Sequence, residues 1–194
     1  MPPDAVIGWD VGGAHLKGAR LRSGKVSQVV QLPCPLWQGL PHLEQGLDRA
    51  LTVLGSAPLQ VITMTGEMVD LFPDRRSGVE QLVSTMRQRL PKATLLFYAG
   101  TEGLVAAEAA GDSLERIASA NWRATAELVA LRFPAALLVD IGSTTTDLIP
   151  VLAGRVAAQG IDDTSRMVAG ELVYRGIVRT PLMALAHRAP FDKQ

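Results

Sequence analysis

Two stretches of this sequence place acids, glycines and hydroxyl residues between apolar runs. "WDVGGAHLKGARLRSGKV" covers residues 9–26 and "VDIGSTTTDLIPVLAGRV" covers residues 139–156. They align without a gap, and each residue of the second lies 130 positions after its counterpart, as Asp140 does after Asp10. An internal repeat is typical of a duplicated structural unit. This repeat carries side chains that can do chemistry.

The residues after each glycine pair predict the shape of the two copies. No helical pattern follows Gly13 or Ser143. Each copy instead continues through a second apolar segment to a turn, Ser23-Gly24 or Ala153-Gly154, of the kind that connects hairpin strands. A dinucleotide-binding loop, by contrast, joins a strand to a helix. Each copy is therefore predicted to be a β-hairpin with a glycine-containing loop.

Such loops bind anions, because their backbone N–H groups can point outward together. A carboxylate beside a phosphate repels it unless a hard cation intervenes, and Mg²⁺ binds through one or two carboxylates, waters and phosphate oxygens. We predict that Asp10 and Asp140 hold Mg²⁺ and that the two hairpins face each other around a di- or triphosphate. Ordinary turns that contain an acid are the alternative. The predicted phosphate ligands are Gly12, Gly13, Gly142, Ser143, Thr144 and Thr145.

Composition excludes several classes of protein. The chain has 194 residues, 47% hydrophobic and 20% charged, which is enough for one or two domains with a real core. Its net charge of zero gives no electrostatic signature of nucleic-acid or anionic membrane binding. The longest apolar stretch, around "FPAALLV", is too short to span a bilayer, and no signal peptide is recognisable. We expect a cytoplasmic enzyme that acts on small molecules.

The elements around the hairpins predict an α/β fold. Strands are expected near 5–10, 15–21, 25–32, 59–65 and 93–100, and helices from Pro41 and at 77–90, 102–110 and 118–131. This βββ-α-β-α-β-α order is that of a ribonuclease-H-like unit, a mixed sheet flanked by helices. The second hairpin starts a second such unit, so the predicted domains are 1–133 and 134–194. About 60 residues follow Phe133, fewer than the roughly 100 of a β/α domain, so the second unit is expected to be incomplete.

Five motifs carry a resemblance to a known family. They are "IGWDVGGAHLKGA", "TMTGEMVDLFPDRRSGV", "SANWRATA", "LLVDIGSTTTDLIPV" and "GELVYRGIVRTPL". They resemble the hydantoinase/oxoprolinase-related branch of the actin, sugar kinase and heat-shock chaperone ATPase superfamily, identified as tetrahydromethanopterin-linked one-carbon transfer pathway proteins. That branch is similar to the methanofuran-biosynthesis enzyme that joins an aminomethylfuran diphosphate to γ-glutamyltyramine and releases pyrophosphate. Family members continue past the last motif, so we expect either a truncated chain or a second unit that another segment or subunit completes.

The resemblance implies roles in the two hairpins. Lys17 would place a cation on a phosphate oxygen and stabilise the leaving pyrophosphate, although a surface lysine on a strand is the alternative. Asp147 would orient Thr145 or a metal-bound water, or else pair with Lys17 across the cleft.

Further roles follow for the residues after "TMTG". Glu67 is the candidate base that takes the phenolic proton of the acceptor, and an acid in the first turn of a helix is the alternative. Asp74, Arg75 and Arg76 would form a loop in which Arg75 binds an acidic group of the substrate. The alternative is that these three residues are solvated surface charges.

"SANWRATA" is predicted to open a helix that Ser119 caps. Asn121 would bind the substrate amine, and Trp122 would stack on its furan or phenol ring. A tryptophan in the core is the alternative.

The last motif is predicted to be helical, because Glu171, Tyr174 and Arg175 recur at helical spacing. Arg175 and Arg179 would then bind the diphosphate. An i,i+4 ion pair between Glu171 and Arg175 is the alternative.

Three functions remain open at this point. The first is a transferase of methanofuran-type cofactor biosynthesis that uses Mg²⁺ and a diphosphate substrate. The second is an ATP-dependent kinase or a hydantoinase/oxoprolinase-like amidohydrolase. The third is a non-catalytic nucleotide-binding subunit. The oligomeric state is open too, and a homo-oligomer fits the sequence.

Overall fold

The structure is a computed structural model that describes residues 5–178 and 180–181. The fold is α/β, and the chain divides into two compact units, Met1–Ala124 and Thr125–Gln194. This division lies inside a helix that the sequence placed wholly in the first domain. Among the described residues, no helix has the length and apolar character needed to cross a bilayer.

A six-stranded mixed sheet forms the centre of the first unit. Its order is β3-β2-β1-β4-β5-β6, in which β1 to β3 are antiparallel neighbours and β4 runs parallel to both β1 and β5. Because β1 and β4 are parallel, their carboxyl ends meet at one edge of the sheet. The strands are β1 (Ala5–Val11), β2 (His15–Arg22), β3 (Lys25–Pro33), β4 (Leu59–Met64), β5 (Thr94–Tyr98) and β6 (Leu104–Ala106).

Two long helices pack their apolar sides into the core of this unit. Helix α1 (Pro41–Leu54) has proline at its first position, where the missing N–H is no loss. Helix α2 (Arg75–Arg89) begins after Asp74, whose carboxylate accepts the Ser77 N–H at 2.7 Å. The predicted binding loop at 74–76 is therefore wrong, since these residues cap and start a helix. The buried helix residues include Leu43, Leu47, Leu54, Val79, Leu82 and Met86.

The helix predicted at 102–110 is also wrong. Gly100 and Gly103 have positive φ angles of 55° and 76°, and these left-handed conformations break a helix. The segment forms β6 antiparallel to β5, and then the short helix α3 (Leu114–Ile117). The next predicted helix is confirmed as α4 (Asn121–Ala130). Ser119 does not cap it, because the cap position falls on residue 120.

The second unit repeats the three-strand start of the first. Its strands β7 (Ala135–Ile141), β8 (Thr146–Leu152) and β9 (Arg155–Val156) follow one another as antiparallel neighbours. Helix α5 (Asp163–Val168) precedes β10 (Leu172–Val173), which pairs with β8. The helix predicted around 171–175 is wrong, because this segment forms a strand whose pairing with β8 overrides its helical spacing. We call β1–β2 hairpin 1 and β7–β8 hairpin 2.

Candidate functional site

In the loop of hairpin 1, two carbonyl groups accept hydrogen bonds and two N–H groups have no partner among the described residues. The Gly12 N–H donates to the His15 carbonyl at 3.0 Å and closes the turn. From behind, Leu36 and Cys34 donate their N–H groups to the Gly13 and Ala14 carbonyls, at 3.0 and 2.8 Å. Among the described residues, neither the Gly13 N–H nor the Ala14 N–H donates a hydrogen bond. The loop therefore offers two backbone donors to an anion.

The loop of hairpin 2 closes its turn in the same way, but its two engaged carbonyls lie one position earlier in the repeat. The Gly142 N–H donates to the Thr145 carbonyl at 2.8 Å, while the Gly142 and Ser143 carbonyls each accept an N–H, from Ile177 and Val178, at 3.0 Å. Within the described part of the chain, the N–H groups of Ser143 and Thr144 have no acceptor. These are the counterparts of Gly13 and Ala14 in the repeat.

A glycine permits the backing segment of hairpin 2 to approach its loop. A Cβ atom on Gly176 would lie 2.4 Å from the Ser143 carbonyl carbon and from the Thr144 nitrogen, so no larger residue fits without a shift. Ala14 was missed at the sequence level, because a backbone donor leaves no trace in the residue type. The loop position next to Gly13 was the only available signal.

Hairpin 1 carries an ion pair across its strands. Asp10 and Lys17 are directly opposite each other, and Lys17 Nζ lies 3.0 Å from Asp10 Oδ2. The Lys17 side chain is 51% exposed. The other carboxylate oxygen, Asp10 Oδ1, is buried and has no hydrogen-bond partner in the part of the chain that the structure describes. Because a buried acceptor without a partner costs free energy, this oxygen suits a ligand that the chain does not itself supply.

Hairpin 2 places two acids opposite each other, Asp140 and Asp147. Arg166 of α5 is 1% exposed and donates from Nη2 to Asp147 Oδ1 at 2.5 Å. Burial raises the pKa of Asp147 above its ordinary value, and the negative charges of Asp140 and Asp163 add to this, while Arg166 opposes it. Each of the two residues that the sequence offered as a pair has a partner inside its own unit, Lys17 with Asp10 and Asp147 with Arg166. No spacing rule in the sequence connects Arg166 to Asp147, which lies 19 positions earlier.

Glu67 lies beside hairpin 1, in a short 3-10 turn at Gly66–Met68 that follows β4. The turn is held there because the Thr65 N–H donates to the Val11 carbonyl at 3.0 Å. The Glu67 side chain is fully buried and accepts the Ser119 hydroxyl on Oε1 at 2.7 Å, and its Oε2 has no hydrogen-bond partner among the described residues. Arg75 Nε lies 3.6 Å from Oε1. Arg75, predicted to bind substrate, thus pairs with the candidate base.

The remaining predicted site residues lie elsewhere. Trp122 is buried in α4, as expected for the alternative of a tryptophan in the core. Its backbone N–H donates to Asn121 Oδ1 at 2.8 Å. Arg175 is exposed two residues after β10, and its carbonyl accepts the Thr146 hydroxyl at 2.6 Å. The Glu171 carboxylate accepts the N–H groups of residues 159 and 160. Arg179 lies outside the described residues.

The carboxylates of the two hairpins are too few to enclose Mg²⁺ by themselves, but they fit an ion that also has phosphate and water ligands. Among the described residues, no group of three or more His, Cys, Asp or Glu could enclose a metal. The donors come singly, at Asp10, and as a facing pair, at Asp140 and Asp147. Mg²⁺ needs only one or two carboxylates when phosphate oxygens and waters complete its shell. The donor set therefore suits an ion that is shared with a phosphate-bearing substrate.

The chain is similar in sequence to two proteins that carry the same name. The chain is 30% identical, over 187 residues, to the (4-{4-[2-(gamma-L-glutamylamino)ethyl]phenoxymethyl}furan-2-yl)methanamine synthase of Methanocaldococcus jannaschii, covering 96% of this chain and 55% of that protein. It is 47% identical over 55 residues to the synthase of the same name from Methanococcus vannielii, covering 28% and 24% respectively. The chain spans about half the length of the first of these relatives.

Among solved structures, the ethanolamine utilization protein EutJ from Carboxydothermus hydrogenoformans superposes with a TM-score of 0.46 at 15% identity, over 81% of this chain and 51% of that one. The hydantoinase/oxoprolinase family model matches residues 59–186, which is more than half of the chain and includes both Glu67 and hairpin 2. The chain belongs to the hydantoinase/oxoprolinase family.

Proposed function

We propose that this chain carries the diphosphate-binding part of a transferase that joins an aminomethylfuran diphosphate to a γ-glutamyltyramine-like phenol and releases pyrophosphate. The name of the Methanocaldococcus jannaschii relative describes a phenoxymethyl-furan product, which is an ether of this type. The observation that carries the proposal is the duplicated loop, with its carbonyls engaged from behind and its N–H groups left to donate.

The residues divide into donors for phosphate and ligands for the ion. The N–H groups of Gly13, Ala14, Ser143 and Thr144 would donate to phosphate oxygens, together with the hydroxyl groups at 143–146. Asp10 and Asp140 would hold Mg²⁺, which when bound supplies positive charge against the diphosphate. Lys17 would add a mobile cation, because its half-exposed side chain can turn from Asp10 to a phosphate oxygen. The proposal keeps Arg175 and Arg179 as further diphosphate ligands and Asn121 as a ligand of the substrate amine.

The reaction is a substitution at the furfuryl carbon. The bond between this carbon and the diphosphate oxygen breaks, the phenolic oxygen forms the new ether bond, and the phenolic proton passes to the Glu67 carboxylate. The furan ring stabilises positive charge that develops on the carbon. No covalent enzyme intermediate is needed. Cys34, the single cysteine, does not fit such a role, since it is buried and burial raises the pKa of its thiol.

The test is an assay of pyrophosphate release by the full-length protein. Wild type with Mg²⁺ and the furan diphosphate should release pyrophosphate only when the glutamyltyramine acceptor is added. ATP hydrolysis without acceptor-dependent pyrophosphate would favour a kinase or an amidohydrolase. Binding of a nucleotide without any turnover would favour a non-catalytic subunit.

A further inference from the structure

The candidate base cannot meet an acceptor directly. Glu67 is 2% exposed, and both of its carboxylate oxygens are enclosed. A general base must come within hydrogen-bond reach of the proton that it removes, directly or through one intermediary. The hydroxyl of Ser119 is bonded to Glu67 Oε1 at 2.7 Å, and Ser119 is itself partly exposed. The hydroxyl therefore connects the buried carboxylate to the surface beside hairpin 1.

Ser119 occupies a conformation that its own residue type disfavours. Its φ angle is +49°, in the left-handed region, where a non-glycine residue is strained. The backbone is fixed on both sides, by the parallel bridge between Met64 and Ala118 and by the start of α4 at Asn121. Strain of this kind persists only where the surrounding structure imposes it. Here the imposed conformation coincides with the hydrogen bond to Glu67.

We propose that Ser119 and Glu67 form a proton relay for the acceptor, an inference that rests on the proposed transferase function. The acceptor hydroxyl gives its proton to Ser119 Oγ while the Ser119 proton moves to Glu67 Oε1. The acceptor oxygen then forms the ether bond as the carbon–diphosphate bond breaks. Ser119 is neutral before and after the step, and Glu67 ends protonated. Arg75, whose Nε lies 3.6 Å from Oε1, is a positioning residue that holds the Glu67 carboxylate in place for the transfer.

A second Ser–Glu–Arg group in the same unit provides a matched control. The Ser113 hydroxyl donates to Glu102 Oε2 at 2.7 Å, and Arg116 lies 2.7 Å from Glu102 Oε1. The Glu102 side chain is 36% exposed, and Ser113 has an ordinary φ of −122°. This group has the same residue types and the same serine–glutamate distance, but neither the enclosed carboxylate nor the strained serine.

The experiment compares Ser119→Gly, Glu67→Gln, their double variant and Ser113→Ala in the full-length protein. Glycine adopts the φ of residue 119 without strain, so Ser119→Gly deletes the hydroxyl in a backbone that still folds. We expect kcat for acceptor-dependent pyrophosphate release to fall about 10²-fold in Ser119→Gly and in Glu67→Gln, with little change in KM for the furan diphosphate. The double variant should be no slower than the slower single variant, because the two residues act as one unit. Ser113→Ala should keep the wild-type kcat.

Two results would overturn the relay alone. One is a Ser119→Gly variant with the same kcat as Ser113→Ala while wild type turns over, which would leave the proposed transferase function intact. The other is a double variant whose loss of kcat is the product of the two single losses. A wild-type protein that releases no acceptor-dependent pyrophosphate would overturn the transferase function and the relay with it. Thermal melting of each variant shows whether a loss of kcat comes from unfolding.

Discussion

Hairpin 1 and hairpin 2 share a backbone and differ in charge. In each, the loop carbonyls accept hydrogen bonds from a segment behind the loop, and the same two loop positions keep their N–H groups without a partner among the described residues. Across the strands, hairpin 1 sets Lys17 against Asp10, whereas hairpin 2 sets Asp147 against Asp140. Like charges directly opposite each other destabilise a strand pair. Hairpin 2 therefore needs a cation from outside the hairpin, and Arg166 of α5 supplies it.

The two cations differ in freedom as well as in origin. Lys17 is half exposed, and an exposed ion pair contributes little to stability. Arg166 is enclosed, and its partner Asp147 is mostly buried. The comparison indicates that the backbone donors were kept in both copies while the charges took separate tasks. We propose that the half-exposed cation of hairpin 1 can turn to a ligand and is mobile in this sense, whereas the enclosed cation of hairpin 2 is a fixed part of the fold.

The largest effect is expected from Arg166→Met. This change leaves Asp147 buried without its cation, and removing one partner of a buried pair costs about 3–5 kcal/mol. Chemical denaturation should show this loss in the free energy of unfolding. Lys17→Met should cost less than about 1 kcal/mol, as expected for an exposed pair. Arg155→Met on β9, an exposed arginine of the same unit, is the matched control and should change little. Equal losses in Arg166→Met and Lys17→Met would contradict the distinction between fixed and mobile cations.

Lys17, whose removal should have little effect on stability, should have a large effect on catalysis. Lys17→Ala should lower turnover by about 10²-fold, because it removes a cation that stabilises the departing pyrophosphate. The acceptor KM should change less, since Lys17 does not contact the acceptor in the proposed reaction. Steady-state assays of pyrophosphate release measure both quantities. Lys25→Ala, on the exposed neighbouring strand β3, is the control, and a similar loss there would indicate a general charge effect.

Sequence patterns predicted the elements that depend on local order. Both hairpins follow from alternating strands, glycine turns and the gapless repeat, and α1 and α2 follow from apolar residues at helical spacing. Patterns failed where neighbours in space decide the outcome. The alanine-rich run at 102–110 became β6 because β5 offers it a partner, and 171–175 became β10 for the same reason at β8.

The site divides in the same way. Asp10, Lys17 and Asp140 could be found because the repeat aligns them, and Glu67 because it directly follows a buried strand. The side chains that bind Asp147 and Glu67 could not be predicted from the sequence. Arg166 meets Asp147 only after α5 packs against the sheet, and Ser119 meets Glu67 across 52 positions of chain. Neither contact is encoded in a local spacing.

A smaller effect is expected when the acids of the two hairpins are neutralised singly. Asp10→Asn and Asp140→Asn should each weaken Mg²⁺–pyrophosphate binding about tenfold, and neither should lower the melting temperature without ligand. The reason is that these carboxylates are assigned to the ion and not to packing. Isothermal titration calorimetry gives the affinity, and the exposed Asp112→Asn is the control. If either variant unfolds without ligand, that acid is a structural partner and its assignment to the ion is wrong.

The smallest expected effect is the pH dependence of stability that Asp147 causes in hairpin 2. Burial and the facing Asp140 raise the pKa of Asp147 above its ordinary value of 3.8, despite the opposing Arg166. Between that value and the folded-state pKa, the folded protein holds a proton that the unfolded chain has released, so stability falls as pH rises through this window. Asp147→Asn removes the titrating group and keeps an oxygen that can accept from Arg166. The free energy of unfolding of wild type, minus that of Asp147→Asn, should therefore decrease as pH rises from about 4 and then level off. Urea denaturation of both proteins across the acid range measures this difference. A difference that increases with pH would mean that the attraction of Arg166 outweighs burial, and that hairpin 2, like hairpin 1, is governed by its ion pair.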